Sequence, residues 1–394
     1  MIVPVSGSLI GEQEKNNLIA VANSGWFTSS VLTAQFEKML REFLGVRYAI
    51  TCNSGSSANL LALTALTAQE LGDKRLLPGD EVITVACGFP TTINPIIQVG
   101  CIPVFVDVTI PEYNINIQEL NIALSGKTRA VMIAHTLGRP FDVDAVSDFC
   151  ERNDLWLIED CCDALGSEYH GNKCGTYGDI STSSFFPAHN ITTGEGGAVY
   201  TDSPLLAKII KSYRDWGRDC WCEPGKDNTC GRRFATGSDH KYTFSRIGYN
   251  LKSTDMASAI GCAQMDKLHH FNAQRIANYR QLYSGLQRHG KHLILSPYID
   301  GMVPFGFPIT CKMERKPFVA FLESNGISTR PLFAGNITRQ PSMEHVKYRI
   351  VGDLHNSDIV HNDTFWIGCW QGLNATHMDY VISKIGEYLD GLDS

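Results

Sequence analysis

From Tyr48 to Thr201 the chain alternates short apolar runs with helical or loop segments. YAITC (Tyr48–Cys52), EVITVA (Glu81–Ala86), IPVFVDV (Ile102–Val108), AVMIAH (Ala130–His135) and LWLIED (Leu155–Asp160) are short, rich in β-branched residues and bounded by Gly, Pro or Asn, which predicts strands. Helical patterns such as SANLLALTALTAQEL separate several of them. The alternation predicts an α/β fold whose sheet is mostly parallel and covered by helices on both faces. From Asp202 to Gly248, SPLLAKIIKSYRDW predicts one short helix; the rest reads as loop, rich in Gly, Arg and Asp, with three clustered cysteines. Met265, Leu268, Phe271, Ile276, Tyr279, Leu282 and Leu286 then recur at near-helical spacing and predict a long amphipathic helix. The expected division is an N-terminal segment (1–25), a large domain (26–275) carrying a cysteine-rich loop (214–240), and a smaller C-terminal α+β domain (276–394).

Composition sets the class. With 43% hydrophobic and 19% charged residues over 394 positions, the chain has the make-up of a soluble globular protein of two or three domains. A net charge of −7 offers no basic surface for nucleic acid. No apolar run approaches the roughly 18–20 residues of a membrane span, and MIVPVSGSLIGEQEKNN lacks the pattern of a signal peptide. The 13 cysteines are an odd number, which argues against a disulfide framework and for the reducing cytoplasm as the expected location.

Three segments carry candidate cofactor chemistry. TCNSGSSANL sets small residues between a predicted strand and a predicted helix, where backbone N–H groups and hydroxyls can cradle a phosphate or simply cap the helix. IEDCCDALG places Asp160 at the C-terminal end of a predicted parallel strand, where such sheets bind ligands; the carboxylate could hold a pyridine nitrogen protonated, or cap the next helix. SFFPAHNITTGEGGAVYT (184–201) is the third. Together with GFPTT and GYNLKSTDMASAIG (248–261), these segments resemble the DegT/DnrJ/EryC1/StrS sugar aminotransferase family, and the likeness covers nearly the whole chain.

The resemblance implies an aspartate aminotransferase-type fold (fold type I of the pyridoxal phosphate enzymes). It departs from the family at one place: His189 stands where a lysine forms a Schiff base with pyridoxal phosphate. Imidazole cannot form that bond but can act as a general base, so the implied resting cofactor is pyridoxamine phosphate. The resemblance further implies that Gly55, Ser56, Ser57 and Ser184 bind the cofactor phosphate. Phe89 is implied to stack on the pyridine ring, Asp160 to pair with its nitrogen, and Asp163 to lie near the ring hydroxyl. Asn250 is implied to reach the phosphate of a partner subunit's cofactor, hence a homodimer. Arg330 is a candidate contact for substrate phosphates.

RDCWCEPGKDNTCGRRF supplies Cys220, Cys222 and Cys230, and soft thiolates held close suit zinc or an iron–sulfur cluster. With Cys162 the spacing becomes C-x57-C-x-C-x7-C. That pattern resembles one branch of the family, the iron–sulfur 3-dehydrases typified by CDP-4-dehydro-6-deoxyglucose 3-dehydrase, in which four such cysteines hold a 2Fe-2S cluster. The remaining cysteines read as buried or incidental thiols. Arg214, Arg218, Lys226, Arg232 and Arg233 flank the loop, interleaved with Asp215, Asp219, Glu223 and Asp227; they read as a docking face for a reductase, as substrate contacts, or as a mixed solvated face.

The branch implies dehydration at C-3 of a nucleotide-linked 4-keto-6-deoxyhexose, CDP-linked by preference and TDP- or GDP-linked otherwise, with His189 as base. An NAD(P)H-dependent flavin and iron–sulfur reductase would supply electrons one at a time through the cluster, giving a 4-keto-3,6-dideoxy sugar nucleotide. The alternatives are a cluster-independent GDP- or TDP-sugar 3-dehydratase and a non-catalytic cofactor-binding protein. Phe186, where some family members carry tyrosine, and the short stretch from Phe234 to His240 depart from the branch.

Overall fold

A computed structural model describes residues 1–222, 226–235, 237 and 239–393. Among these, the large sheet has eight strands in the spatial order Tyr48–Cys52, Gly197–Thr201, Ile180–Ser184, Trp156–Asp160, Thr128–Ala134, Glu81–Val85, Ile102–Val106 and Arg349–Ile350. From Ile180–Ser184 onward all neighbours are parallel; Gly197–Thr201 runs antiparallel to both of its neighbours. The five strands expected from apolar runs are present, each within two residues of its expected ends.

The strands are buried because the sheet has a core on each side. Ile83, Val104, Val131, Phe141 and Phe149 pack on one face. Ile50, Leu61, Val82, Met132, Ile158 and Ile209 pack on the other. Alternate residues of one strand thus meet opposite layers, which is why these strands read as continuous apolar runs. Ile180–Ser184 and Gly197–Thr201 gave no such signal. The first is ISTSS, a fully buried strand made largely of hydroxyl residues.

A second sheet of four antiparallel strands (Leu293–Leu295, Gly306–Cys311, Thr364–Gly368, Thr329–Pro331) belongs to the C-terminal part. The helices Leu268–Leu286 and Ala375–Leu392 pack together on its core. The boundary between the parts is interleaved. Arg349–Ile350 crosses back to close the edge of the large sheet. Val3 bridges Ile327 beside the small sheet, while the helix Glu12–Ser24 packs on the helix Asp255–Met265. No helix among the described residues is long and apolar enough to cross a membrane.

Candidate active site

The carboxyl ends of Trp156–Asp160 and Ile180–Ser184 and the start of the helix Gly55–Ala65 meet at one place. Ser54 caps that helix by accepting the Ser57 N–H at 3.1 Å. Gly55 packs so tightly on Ser184 that a Cβ at position 55 would lie 2.5 Å from the Ser184 Cβ and 2.8 Å from its Oγ. Only glycine leaves this concavity open, and the helix's unpaired N–H groups and the Ser56, Ser57 and Ser184 hydroxyls are available around it. The set fits a phosphate.

Asp160 is buried and fixed. Its Oδ2 accepts from Asn59 Nδ2 (2.8 Å) and Thr92 Oγ1 (2.7 Å), and its Oδ1 accepts the Cys162 N–H (3.0 Å). Asn59 is itself oriented by the Thr182 hydroxyl at 2.6 Å. Oδ1 therefore keeps lone-pair capacity for a protonated ring nitrogen, and the buried hydroxyl strand beneath supplies the polar support. Asn59 sits in the quoted SGSSAN motif, yet its role follows only from the fold.

His189 lies on the turn after Ile180–Ser184, mostly buried, its N–H donating to the Phe186 carbonyl at 3.0 Å. Its Nδ1 is 3.4 Å from Asp163 Oδ1, within ion-pair range but without hydrogen-bond alignment. Burial raises the Asp163 carboxyl above its ordinary range, and His189 offsets part of that rise. The imidazole ring rests on Phe305, centroids 5.2 Å apart. The turn itself is held by Arg275, which sequence reading passed over. Its Nη2 donates to the Ala188 and His189 carbonyls (3.1 and 2.9 Å), and its Nη1 to those of Phe305 and Pro304 (3.1 and 3.4 Å). Arg275 is fully buried, and burial lowers its pKa to about 10. A cation inside the apolar stripe of a helix was the available signal.

The other expected residues lie around this centre. Phe89 precedes the helix Pro90–Gln98, half-exposed and edge-on to Phe333. Phe186 is likewise half-exposed. Asn250 is exposed, bridged to Asp215 and accepting from Lys252 Nζ at 2.5 Å. Arg330 is exposed on Thr329–Pro331 and donates to its neighbour's carbonyl at 2.7 Å.

The loop cysteines gather, with an unexpected companion. Cys222 and Cys230 Sγ are 3.5 Å apart, and Cys230 Sγ is 3.0 Å from His240 Nε2. The donor atoms of Cys220, Cys222 and His240 all lie within 4.8 Å of one another. Burial alone would raise the Cys222 thiol, but donation from Cys230, Thr229 and Cys220 lowers it to about 6. Cys162 is not in that group. Its thiol hydrogen-bonds Asp160, and burial together with that carboxylate holds it well above the ordinary thiol range. His240, which the spacing did not point to, lies beside the loop thiols instead. Of the flanking charges, Arg214 is buried against Asp215 and Glu37 and Arg233 pairs with Asp239, so neither is a free docking cation. Glu223, and Thr236 and Ser238 of the short 234–240 stretch, lie outside the described residues.

Comparison with known proteins places this geometry. A model of the DegT/DnrJ/EryC1/StrS aminotransferase family matches residues 8–386. The lipopolysaccharide biosynthesis protein RfbH of Salmonella typhimurium is 53% identical over 400 residues, covering 98% of this chain and 92% of that protein. The dTDP-4-dehydro-2,6-dideoxy-D-glucose 3-dehydratase of Saccharopolyspora spinosa is 48% identical, covering 98% and 86%. Among solved structures, the E. coli GDP-4-keto-6-deoxy-D-mannose-3-dehydratase with bound hydrated PLP superposes with a TM-score of 0.89 at 27% identity, covering 98% of this chain and all of that one.

Proposed function

Because the chain belongs to the DegT/DnrJ/EryC1/StrS aminotransferase family, we propose that it is a 3-dehydratase of a nucleotide-linked 4-keto-6-deoxysugar, working with pyridoxamine phosphate. One observation carries the reading: the cradle of Gly55, Ser57, Ser184 and Asp160 is retained while His189 takes the place of the covalent lysine. The named relatives support the reaction class, and their substrates are dTDP- and GDP-linked. TDP is therefore proposed first and GDP second, ahead of the CDP-linked sugar.

When bound, the cofactor supplies an amine for the sugar's keto carbon and a ring that accepts an electron pair. Everything else falls to the chain. Asp160, through the remaining lone pair of Oδ1, would keep the ring nitrogen protonated. With no lysine to tether the cofactor, the Gly55–Ser57 turn and Ser184 would have to hold its phosphate without a covalent link to the chain. His189 would take the proton from the cofactor's aminomethyl carbon; its Nδ1 faces Asp163, whose carboxylate would favour the imidazolium that results. The same imidazolium can hand that proton to the departing C-3 hydroxyl, so that water leaves. Arg275 fixes where the ring stands by gripping its backbone carbonyl.

Coupling to one-electron reduction through a 2Fe-2S cluster and an NAD(P)H-dependent reductase would need Cys162 beside the loop thiols. In this structure Cys162 hydrogen-bonds Asp160 and is not grouped with Cys220, Cys222 and His240, and removal of the C-3 hydroxyl itself needs no electron from the loop. The test is an assay of TDP-, GDP- and CDP-4-keto-6-deoxyhexoses with pyridoxamine phosphate, read by mass spectrometry. Loss of the C-3 oxygen supports the proposal. Conversion to a 4-amino sugar with the C-3 hydroxyl intact would make the chain an aminotransferase instead.

A further inference from the structure

Three contacts decide where the His189 imidazole stands. Arg275 holds its backbone carbonyl at 2.9 Å, Phe305 lies against the ring, and Asp163 faces Nδ1. The first contact fixes the backbone but leaves the side chain its choice of rotamer. The orientation of the ring therefore depends on Phe305 and Asp163, which come from segments far apart in the chain. A third segment, the turn Thr136–Gly138, lies between those two.

Leu137 in this turn is buried at φ +51°. A left-handed backbone at a non-glycine residue persists only where its surroundings over-determine it. Asn114 does so from one side. Its Oδ1 accepts the Thr136 N–H (3.1 Å), and its Nδ2 donates to the Arg139 and Pro140 carbonyls (3.1 and 3.0 Å). The turn so held presents the Leu137 carbonyl to the Phe305 N–H at 2.8 Å. Toward Asp163 the effect is electrostatic: burial raises that carboxyl, while His189 and the Leu137 N–H both lower it. Gly138 follows at φ +85°, and a Cβ there would lie 2.0 Å from the Val303 carbonyl oxygen and 3.0 Å from that of Asp163.

Ser167 joins these pieces. It is fully buried. Its Oγ donates to the Gly138 carbonyl (2.7 Å) and accepts the Val303 N–H (2.9 Å), while its own N–H donates to the Ala164 carbonyl (2.9 Å). Ala164 follows Asp163, and Val303 shortly precedes Phe305. We propose that Ser167 is a positioning residue for proton transfer at His189: its hydroxyl ties the turn bearing Asp163 to the segment bearing Phe305, and so sets where the imidazole stands between them. This rests on His189 being the base. Without the hydroxyl, a buried carbonyl and a buried N–H lose their shared partner, and the two walls of the ring's site are free to part.

The control is Thr201, which is buried at the opposite end of the large sheet. Its Oγ1 likewise donates to one carbonyl (Asp179, 2.7 Å) and accepts one N–H (Ser203, 3.2 Å). Exchange of the aminomethyl proton of bound pyridoxamine phosphate is followed in deuterated water for the full chain, beside cofactor affinity read by absorbance. Ser167→Ala should slow exchange about 10- to 100-fold, the effect of misplacing a reacting group by about 1 Å, with affinity unchanged. Thr201→Val should lose similar stability and keep the parental rate. In cofactor-free protein the carbon-13 signal of the His189 ring, identified by its loss in His189→Asn, should move in Ser167→Ala and stay in place in Thr201→Val. Ser167→Cys retains a weak donor and acceptor and should fall between parent and Ser167→Ala; it serves if the alanine variant does not fold. Parental exchange in Ser167→Ala, or an equal loss in Thr201→Val, would overturn this proposal alone, provided His189→Asn abolishes exchange. Exchange that survives in His189→Asn would overturn the reading of His189 and this proposal with it.

Discussion

At position 189 an imidazole sits over a buried carboxylate, and the two groups pull stability and activity in opposite directions. His189→Asn removes the base but keeps a polar side chain of similar reach. It should abolish exchange of the cofactor's aminomethyl proton in deuterated water while leaving cofactor affinity within about twofold, since general-base catalysis contributes roughly 10²–10⁴-fold to the reaction and little to binding. Exchange at the parental rate would show that another group is the base. Asp163 is the converse case. Its folded pKa lies above the unfolded value because burial penalises the carboxylate. Ionisation therefore costs stability as pH rises through the unfolded value near 4, and the full cost is present once pH exceeds the folded value. Asp163→Asn should melt no higher than the parent below about pH 4 and higher than the parent at pH 7, with turnover reduced because the imidazole loses the carboxylate it faces. Melting curves from pH 3 to 8 check the first half; equal melting temperatures at pH 7 would mean that the His189 pairing already cancels the burial cost.

Elements whose burial is apolar were legible in the sequence, and elements whose burial is polar were not. The five Val/Ile-rich strands announced themselves because both of their faces enter apolar layers. ISTSS did not, although it lies under the centre of the site, because hydroxyl side chains leave no periodic signal when they are satisfied by neighbours. The same asymmetry governs the helix Leu268–Leu286. Its apolar stripe was plain, but Arg275 lies fully buried within it while Ile276, counted in the stripe, is only partly covered. The site was legible wherever a motif spelled it, as at Asp160 and Gly55. It was hidden wherever a distant element contributes, as with Thr92 on Asp160, Arg275 on the His189 turn, and His240 beside the cysteines. Arg275→Met keeps the volume and removes every donor. Four carbonyls then lose a charged partner inside the protein, so the variant should lose on the order of 3 kcal/mol of stability. Its kcat should fall further than its cofactor affinity, because the turn bearing His189 is freed while the Gly55–Ser184 cradle is not. Denaturant titration and cofactor titration separate the two effects, and an unchanged kcat in a destabilised protein would confine Arg275 to a structural role.

Across the whole molecule, a set of exposed apolar side chains bears on how many chains make a working site. The Phe27 carbonyl accepts the Asp255 N–H, which sets Phe27 near Met256, and both side chains are exposed, as are Trp26, Phe244 and Ile247. Ile247 is 97% exposed, three residues from Asn250 and on the same connection. Large apolar side chains left in water are the kind of surface that a partner would cover, and the homodimer implied by the family resemblance would cover them. A second copy is the occupant expected from the role assigned to Asn250, since the phosphate it is expected to reach belongs to the partner's cofactor. Covering these side chains and completing the site are then one event, which gives an order to the effects of mutation. Asn250→Ala should leave the dimer intact and weaken pyridoxamine phosphate binding. Ile247→Asp should shift sedimentation toward the monomer and weaken binding as well, and the loss should be relieved at high protein concentration, where mass action restores the pair. A monomer that binds the cofactor as tightly as the dimer would separate the two events and remove Asn250 from the site.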